Sequence, residues 1–113
     1  MRLLTLAVVI LFVGLFLNLH RTAAQPVRAS DFSAYHDVVM FSAEWCGHCD
    51  RARSHLQRQG VDFLEIDIES STEANRLFRD AGGHGVPLTF VDDQRLVGFS
   101  AESYSRALER LNR

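Results

Sequence analysis

Two cysteines, Cys46 and Cys49, lie three positions apart in the stretch EWCGHC, which spans residues 44–49. Thiols at this spacing can exchange electrons as a dithiol pair, supply two ligands to a metal, or form a structural cross-link. A structural cross-link is disfavoured, because a disulfide enclosing two residues removes little entropy from the unfolded chain. A zinc site would need histidine ligands as well, and the candidates lack the paired spacing of a zinc finger: His36, His48, His55 and His84. The pattern therefore favours redox chemistry.

The segments on either side of the cysteine pair predict a strand that leads into a helix. Residues 38–41 form a continuous apolar run, which is typical of a strand buried on both faces. After the pair, Cys49, Ala52 and Leu56 recur at helical spacing, and Gly60 marks the end of the helix. Cys46 would then lie at the helix N-terminus, where unpaired N–H groups and the helix dipole favour a thiolate.

This placement predicts a different role for each residue of the motif. Cys46 is the expected nucleophile, and Cys49, one turn into the buried face, is the expected resolving thiol. His48 is expected to stabilise the thiolate as a nearby cation or donor. Gly47 is expected to let the backbone turn and a substrate approach closely.

The remaining sequence predicts the element order β-α-β-α-β-β-α. Residues 61–68 are rich in β-branched and aromatic residues, so we expect a second strand parallel to the first. Ser70 and Glu73 form a capping-box pattern before a helix that ends at residues 82–83 and buries a stripe of four residues: Ala74, Leu77, Phe78 and Ala81.

The C-terminal third predicts a hairpin and a last helix. The hairpin strands cover residues 88–91 and 95–97, with a turn at residues 92–94. Ser100 is expected to cap the last helix, whose buried stripe has four members: Tyr104, Ala107, Leu108 and Leu111.

The N-terminal segment predicts membrane targeting. Residues 3–19 are almost wholly apolar and follow a short basic start, Met1 and Arg2. Two interpretations of residues 1–24 stay open, namely a signal peptide cleaved near residues 22–24 and an uncleaved single-pass anchor. The charges on the two sides of this segment barely decide its orientation in a membrane. Read as a secretory-type signal, the segment places the catalytic domain on the extracytoplasmic, periplasmic side. Residues 25–34 are predicted to be a linker, and residues 35–113 one catalytic domain.

The charge of the chain argues against a nucleic-acid partner. From Gln25 onward the sequence contains 10 arginines, no lysine and 14 acidic residues, which gives about −4 at neutral pH. A protein that binds phosphate backbones needs a basic surface.

Four segments resemble known redox proteins. Residues 41–49 are similar to the active-site segment of the thioredoxin superfamily, and the inner Gly-His resembles that of protein disulfide isomerases. The rest resembles a glutaredoxin, through residues 60–63, 85–87 and 97–100. The resemblance covers residues 37–111 and implies a thioredoxin-like α/β fold, with a four-stranded mixed sheet and helices on both faces, preceded by the N-terminal hydrophobic helix.

The resemblance also implies a substrate-binding surface around the cysteines. It implies a cis peptide bond before Pro87, which leaves the Val86 backbone free to pair with an extended substrate. The other residues of that surface would be Trp45, Gly47, Gly98, Phe99 and Ser100. His84 is expected to be a solvated loop residue near the site.

Three departures from the family pattern bear on the electron donor. Ala43 stands where glutathione-binding glutaredoxins usually have lysine, and Gly98-Phe99 stands where they usually have Gly-Gly. The Gly-Phe pair resembles redoxins that take electrons from thioredoxin reductase. Met40 stands where thioredoxins have a buried acid. The Val86 backbone and Ser100 would still bind glutathione. The resemblance therefore implies a thiol-disulfide oxidoreductase that acts on protein or small-molecule disulfides. We expect no bound cofactor or metal, and either glutathione or a thioredoxin-reductase-type protein as the electron donor.

Two other classes of function stay open at this point. One is a metal-binding module, with zinc or an iron–sulfur cluster held by the two cysteines across a dimer. The other is a substrate-binding or chaperone-like domain in which redox activity is incidental.

Overall fold

The structure is a computed structural model that describes residues 1–20 and 25–113. Its helices and strands follow the predicted order after an N-terminal helix. They are α1 (Arg2–His20), β1 (Val38–Ser42), α2 (Gly47–Arg58), β2 (Leu64–Asp67), α3 (Thr72–Asp80), β3 (Leu88–Val91), β4 (Gln94–Val97) and α4 (Ala101–Leu111), with a short 3-10 turn at Ala29–Asp31.

The four strands form one mixed sheet in the order β2-β1-β3-β4. Strand β1 pairs parallel to β2 and antiparallel to β3, and β3 pairs antiparallel to β4. Helices α2 and α4 cover one face of the sheet, and α3 covers the other. The predicted thioredoxin-like fold is therefore confirmed.

Alternate residues of the strands divide the core into two clusters. The cluster under α2 and α4 contains Met40 and Tyr104, together with the predicted stripe residues of both helices: Ala52, Leu56, Ala107 and Leu108. The cluster under α3 is rich in phenylalanine, with Phe41, Phe78 and Phe90 in contact with one another or with Phe32.

The second strand is shorter than predicted. It starts at Leu64 rather than Val61, because the residues before it close the C-terminus of α2. The Gly60 N–H donates to Gln57 O and the Val61 N–H donates to Leu56 O, which is the Schellman pattern of helix termination.

The capping residue of α3 is Ser71, not Ser70 as predicted. The Ser71 side chain accepts a hydrogen bond from the Ala74 N–H at 3.0 Å. Ser70 is used instead by the turn after β2, where its N–H and hydroxyl both donate to Asp67 O. Glu73, predicted to complete the capping box, forms an ion pair with Arg76.

The hairpin turn is one residue shorter than predicted. Val91 pairs with Gln94, so Gln94 belongs to β4 and only two residues, Asp92 and Asp93, form the turn. Asp92 has a φ of 53°, a left-handed conformation that Asp and Asn adopt more readily than most residues.

Part of the predicted linker packs on the domain. Ala29 is buried, and Val27 and Phe32 pack on the phenylalanine-rich cluster. The Ala29 N–H donates to Asp92 O at 2.9 Å, and Arg28 forms an ion pair with Asp92. The folded body therefore begins before Tyr35, where the sequence analysis placed its start.

Helix α1 is long and apolar enough to cross a membrane, with 19 residues and a mean hydropathy of 2.4. None of its residues is buried against the rest of the chain. The predicted cleavage site at residues 22–24 lies outside the described residues.

Candidate active site

Cys46 and Cys49 lie at the junction between β1 and α2. Cys46 is the N-cap residue of α2, and its sulfur accepts a hydrogen bond from the Cys49 N–H at 3.1 Å. The Asp50 N–H donates to Cys46 O at 3.2 Å, which continues the helix from this cap. The predicted placement of Cys46 at the helix N-terminus is what the structure shows.

The two cysteines are joined by a disulfide, with Cα atoms 5.2 Å apart. Cys46 is 5% exposed, whereas Cys49 is fully buried. Both pack with Ala43 against Ile68 and Val86. An incoming group therefore reaches the Cys46 sulfur first.

The segment before β3 lies against the disulfide. The Val86–Pro87 peptide bond is cis, as the resemblance implied. The Cys46 sulfur lies 3.6 Å from Val86 O. The Val86 N–H has no hydrogen-bond acceptor within residues 1–20 and 25–113, so this backbone donor is free beside the disulfide.

The loop between β4 and α4 is tied to the same segment. The Gly98 N–H donates to Pro87 O at 2.9 Å, and Gly98 has a φ of 73°, which favours glycine. Its carbonyl accepts a hydrogen bond from the Tyr104 hydroxyl, which also contacts the Thr89 hydroxyl at 2.7 Å. Burial raises the pKa of Tyr104, so this hydroxyl stays protonated. Sequence analysis assigned Tyr104 to the core and missed this contact with the site.

Trp45 flanks the disulfide as an exposed aromatic residue, with 69% of its surface accessible. Its indole N–H donates to Glu69 Oε1 at 2.6 Å. Glu69 lies in the turn after β2, and sequence analysis did not identify it because no local pattern links positions 24 residues apart. The contact fixes the orientation of the indole beside Cys46.

His48, Glu44 and His84 are all exposed. Their side chains have no hydrogen bond or ion pair with the part of the chain that the structure describes. Gly47 has no left-handed φ, and a Cβ placed on it would meet no atom within 4 Å. The turn into α2 therefore uses a backbone conformation at Gly47 that other residues also adopt, and the open surroundings of Gly47 leave room for a substrate.

A polar network beside α2 was missed by sequence analysis. The Arg53 guanidinium donates two hydrogen bonds to Glu65, at 2.6 and 2.7 Å, and one to Asp50. Glu65 also accepts a hydrogen bond from the Ser42 hydroxyl at 2.9 Å. The bonds from Arg53 lower the pKa of Glu65, and those to Glu65 and Asp50 raise the pKa of Arg53. The network joins the end of β1, β2 and the first turns of α2, which carry the cysteines.

His55, Phe99 and Tyr104 form an aromatic cluster between α2 and α4. The His55 ring lies 5.7 Å from Phe99 and 6.0 Å from Tyr104, measured between ring centroids. His55 is buried, and desolvation, together with the charge of Arg58, lowers its pKa. Phe99, predicted to bind substrate, is half-buried against this cluster.

Ser100, the other predicted binding residue of this loop, is the N-cap of α4, as the sequence predicted. Its side chain accepts a hydrogen bond from the Ser103 N–H at 3.4 Å, and the residue is exposed. Within residues 1–20 and 25–113, no group of three or more His, Cys, Asp or Glu side chains is arranged to hold a metal ion.

Comparison with known proteins identifies the family. Residues 38–96 match the family model described as Glutaredoxin. The chain is 39% identical over 62 residues to a glutaredoxin of Pseudomonas aeruginosa, which covers 54% of this chain and 74% of that protein. It is 30% identical over 63 residues to glutaredoxin 3 of Escherichia coli K12. That alignment covers 55% of this chain and 76% of that protein.

A solved structure agrees with this assignment. The crystal structure of a glutaredoxin from Archaeoglobus fulgidus aligns with a TM-score of 0.61 and 26% identity, over 69% of this chain and 91% of that one. The matched region contains the β1–α2 junction, where the two cysteines form a CXXC motif. The chain belongs to the glutaredoxin family of thiol-disulfide oxidoreductases.

Proposed function

We propose that the protein reduces or oxidises disulfides of partner proteins through the Cys46/Cys49 dithiol. The observation that carries this proposal is the position of Cys46, which caps α2 beside the Val86–Pro87 peptide while Cys49 is buried behind it. Helix N-termini favour a thiolate, and the thiolate is the nucleophilic form of cysteine.

In the reductive direction, two thiol–disulfide exchanges transfer two electrons. The Cys46 thiolate attacks one sulfur of the substrate disulfide, forms a mixed disulfide and releases the other sulfur as a thiolate. Cys49 then loses its proton and attacks Cys46 Sγ, which re-forms the Cys46–Cys49 disulfide and releases the second substrate thiolate. The oxidative direction is the reverse sequence.

The surface around Cys46 suits an extended substrate segment. The free Val86 N–H can donate to a substrate backbone carbonyl, as an added strand would require. Trp45 and the Gly98-Phe99 loop would flank that segment on either side of the sulfur. His48 is exposed next to Cys46 in sequence and would favour the thiolate when protonated.

The electron donor is either glutathione or a thioredoxin-reductase-type protein. Ala43 is buried and provides no cation for a glutathione carboxylate, and Phe99 stands where glutathione-binding glutaredoxins usually have a second glycine. Ser100 at the start of α4 and the Val86 backbone still suit a small carboxylate-bearing thiol. No cofactor is required, because both exchange steps use sulfur alone.

We further propose that α1 anchors the protein to a membrane or directs its export, with the catalytic domain on the extracytoplasmic side. The length and apolar character of α1 support this placement. The disulfide chemistry suits an oxidising compartment.

Turnover of a disulfide-bonded peptide by the full chain in a non-ionic detergent tests the proposal. We expect Cys46→Ser to abolish turnover and Cys49→Ser to accumulate a mixed disulfide. Full activity in Cys46→Ser would contradict the assignment.

The electron donor is identified in the same assay by comparing glutathione plus glutathione reductase with thioredoxin reductase as the electron source.

Elemental analysis of the reduced, anaerobically purified protein distinguishes dithiol chemistry from a metal-binding module. The dithiol proposal predicts no stoichiometric zinc or iron.

A further inference from the structure

A groove of about 420 Å³ runs along the outer surface of α2 beside the active site. Its lining residues are Asp50, Arg51, Ser54, Arg58 and Phe99. Two of its lining residues lie next to parts of the site. Asp50 follows Cys49 in the chain, and Phe99 follows Gly98, whose N–H donates to Pro87 O. A substrate segment leaving Cys46 in this direction would therefore enter the groove.

The groove combines two unpaired basic side chains with one acidic side chain that already has a partner. The side chains of Arg51 and Arg58 are exposed and have no hydrogen-bond or ion-pair partner within the described residues. Asp50, the acidic residue of the groove, is already paired with Arg53. Three other exposed arginines of the domain are paired with acidic residues, namely Arg28, Arg76 and Arg106. Among the described residues the exposed side chain of Arg79, on α3 outside the groove, has no such partner. The domain carries about −4 overall, yet this groove presents two free guanidinium groups.

We propose that the groove binds a segment of a partner protein with acidic side chains near its reactive cysteine, so that Arg51 and Arg58 determine substrate specificity. This inference rests on the proposed function. Oppositely charged groups across such a surface select partners and speed their association. The half-buried ring of Phe99 supplies an apolar wall for the same segment.

The spacing of the two arginines favours a protein segment over a small thiol. Arg51 and Arg58 are seven positions apart on α2, about 10.5 Å along the helix axis, which matches about three residues of extended chain. Arg58 lies twelve positions from Cys46, about 18 Å along the same axis. A tripeptide thiol bound at Cys46 would not span that distance.

A pair of peptide substrates tests the inference. Both are extended peptides of about ten residues in disulfide linkage, one with glutamates about two and five residues from its cysteine and one with glutamines there. We expect wild-type kcat/KM to be about tenfold higher for the glutamate peptide at low ionic strength, the combined effect of two surface ion pairs. Because surface charges are screened by salt, the ratio should shrink toward one at high ionic strength.

Two variants distinguish the effect of the groove arginines from the effect of the overall charge of the domain. Arg51→Gln/Arg58→Gln should reduce the ratio of the two kcat/KM values to about one. Arg79→Gln removes an exposed arginine side chain of α3, outside the groove, that has no ion-pair partner among the described residues. It should leave the ratio at its wild-type value. Equal wild-type rates for the two peptides, or a preference that persists in the double arginine variant, would overturn the inference while leaving the proposed function intact.

Turnover of neither peptide would refute the proposed function. In that case a binding measurement still tests the groove. In a Cys46→Ser/Cys49→Ser background, Trp45 fluorescence reports binding of peptides that carry serine in place of cysteine. Tighter binding of the glutamate peptide, lost when Arg51 and Arg58 are replaced, would support the groove. Equal binding of the two peptides would refute it.

Discussion

The two faces of the sheet are built from different chemistry. Under α3, the core is a contact network of phenylalanines joined by Val39, Leu88 and other apolar residues. Under α2 and α4, the core includes hydrogen-bonded or titratable groups, namely the Thr89–Tyr104 pair and His55, with the Arg53–Glu65 pair at its edge.

The face with polar groups is the one that positions the cysteines. Helix α2 carries both thiols, Tyr104 holds the Gly98 loop, and Arg53 joins α2 to β2. In the described part of the chain, no buried side-chain polar atom on either face lacks a partner. The α3 face therefore stabilises the fold mainly by burying apolar side chains, while the α2/α4 face sets the geometry and environment of the site.

The largest stability effect should come from the aromatic face. Phe41→Ala removes a fully buried ring that contacts Phe32, Phe78 and Phe90, and should lower the free energy of unfolding by about 3–5 kcal/mol. Urea denaturation followed by circular dichroism measures the unfolding free energies of the variant and the wild type. A loss below about 1 kcal/mol would mean that this cluster is not the main source of stability.

A smaller effect on the same face is expected for Gly83→Ala. The added methyl group would lie 2.2 Å from a ring carbon of Phe78, so the ring or the loop must shift, at a cost of about 1–3 kcal/mol. Gly85→Ala is the matched control, because nothing lies within 4 Å of its Cβ position. Equal unfolding free energies for the two variants would contradict the close packing at Gly83.

On the other face, Arg53→Ala should cost about 1–2 kcal/mol, because it leaves the partly buried Glu65 carboxylate without its main partner. The control is Arg76→Ala, which removes an exposed pair of the kind that contributes about 0–1 kcal/mol. The sharper readout is the Cys46–Cys49 redox potential. It should shift in Arg53→Ala and stay constant in Arg76→Ala if this network positions α2.

The smallest effect is a pH dependence from His55. Burial lowers its pKa in the folded protein, so the unfolded chain binds a proton more readily as the pH falls through about 6.5. Stability is therefore full above that pH and is progressively lost below it. His55→Phe removes this titration, so its unfolding free energy should change less than that of the wild type between about pH 7.5 and 5. Parallel profiles for the two proteins would show that His55 does not titrate in this environment.

Local patterns in the sequence predicted the elements and the cysteine placement, because helix stripes, capping residues and turn residues act over a few positions. The burial of His55 could also have been predicted, because His55 follows Ala52 by three positions on the helix stripe that includes Cys49 and Leu56. Which of Ser70 and Ser71 caps α3 could not be predicted, because it depends on the hydrogen bonds that Ser70 makes to Asp67.

Long-range contacts were not predicted from the sequence, for a different reason. The Trp45–Glu69 bond, the Arg53–Glu65 pair and the packing of Ala29 beside Asp92 join positions that only the folded sheet brings together. These contacts orient the site, so the chemistry of the motif was predictable while its supporting residues were not.

The most direct test of the account is to locate the mixed disulfide formed in the Cys49→Ser variant. After reaction with a disulfide-bonded peptide, non-reducing digestion and mass spectrometry should find the peptide on Cys46, and the Cys46→Ser variant should form no adduct at a comparable rate. An adduct on Cys49 in Cys46→Ser, formed as fast as the one on Cys46, would contradict the assignment of Cys46 as the nucleophile and Cys49 as the buried resolving thiol.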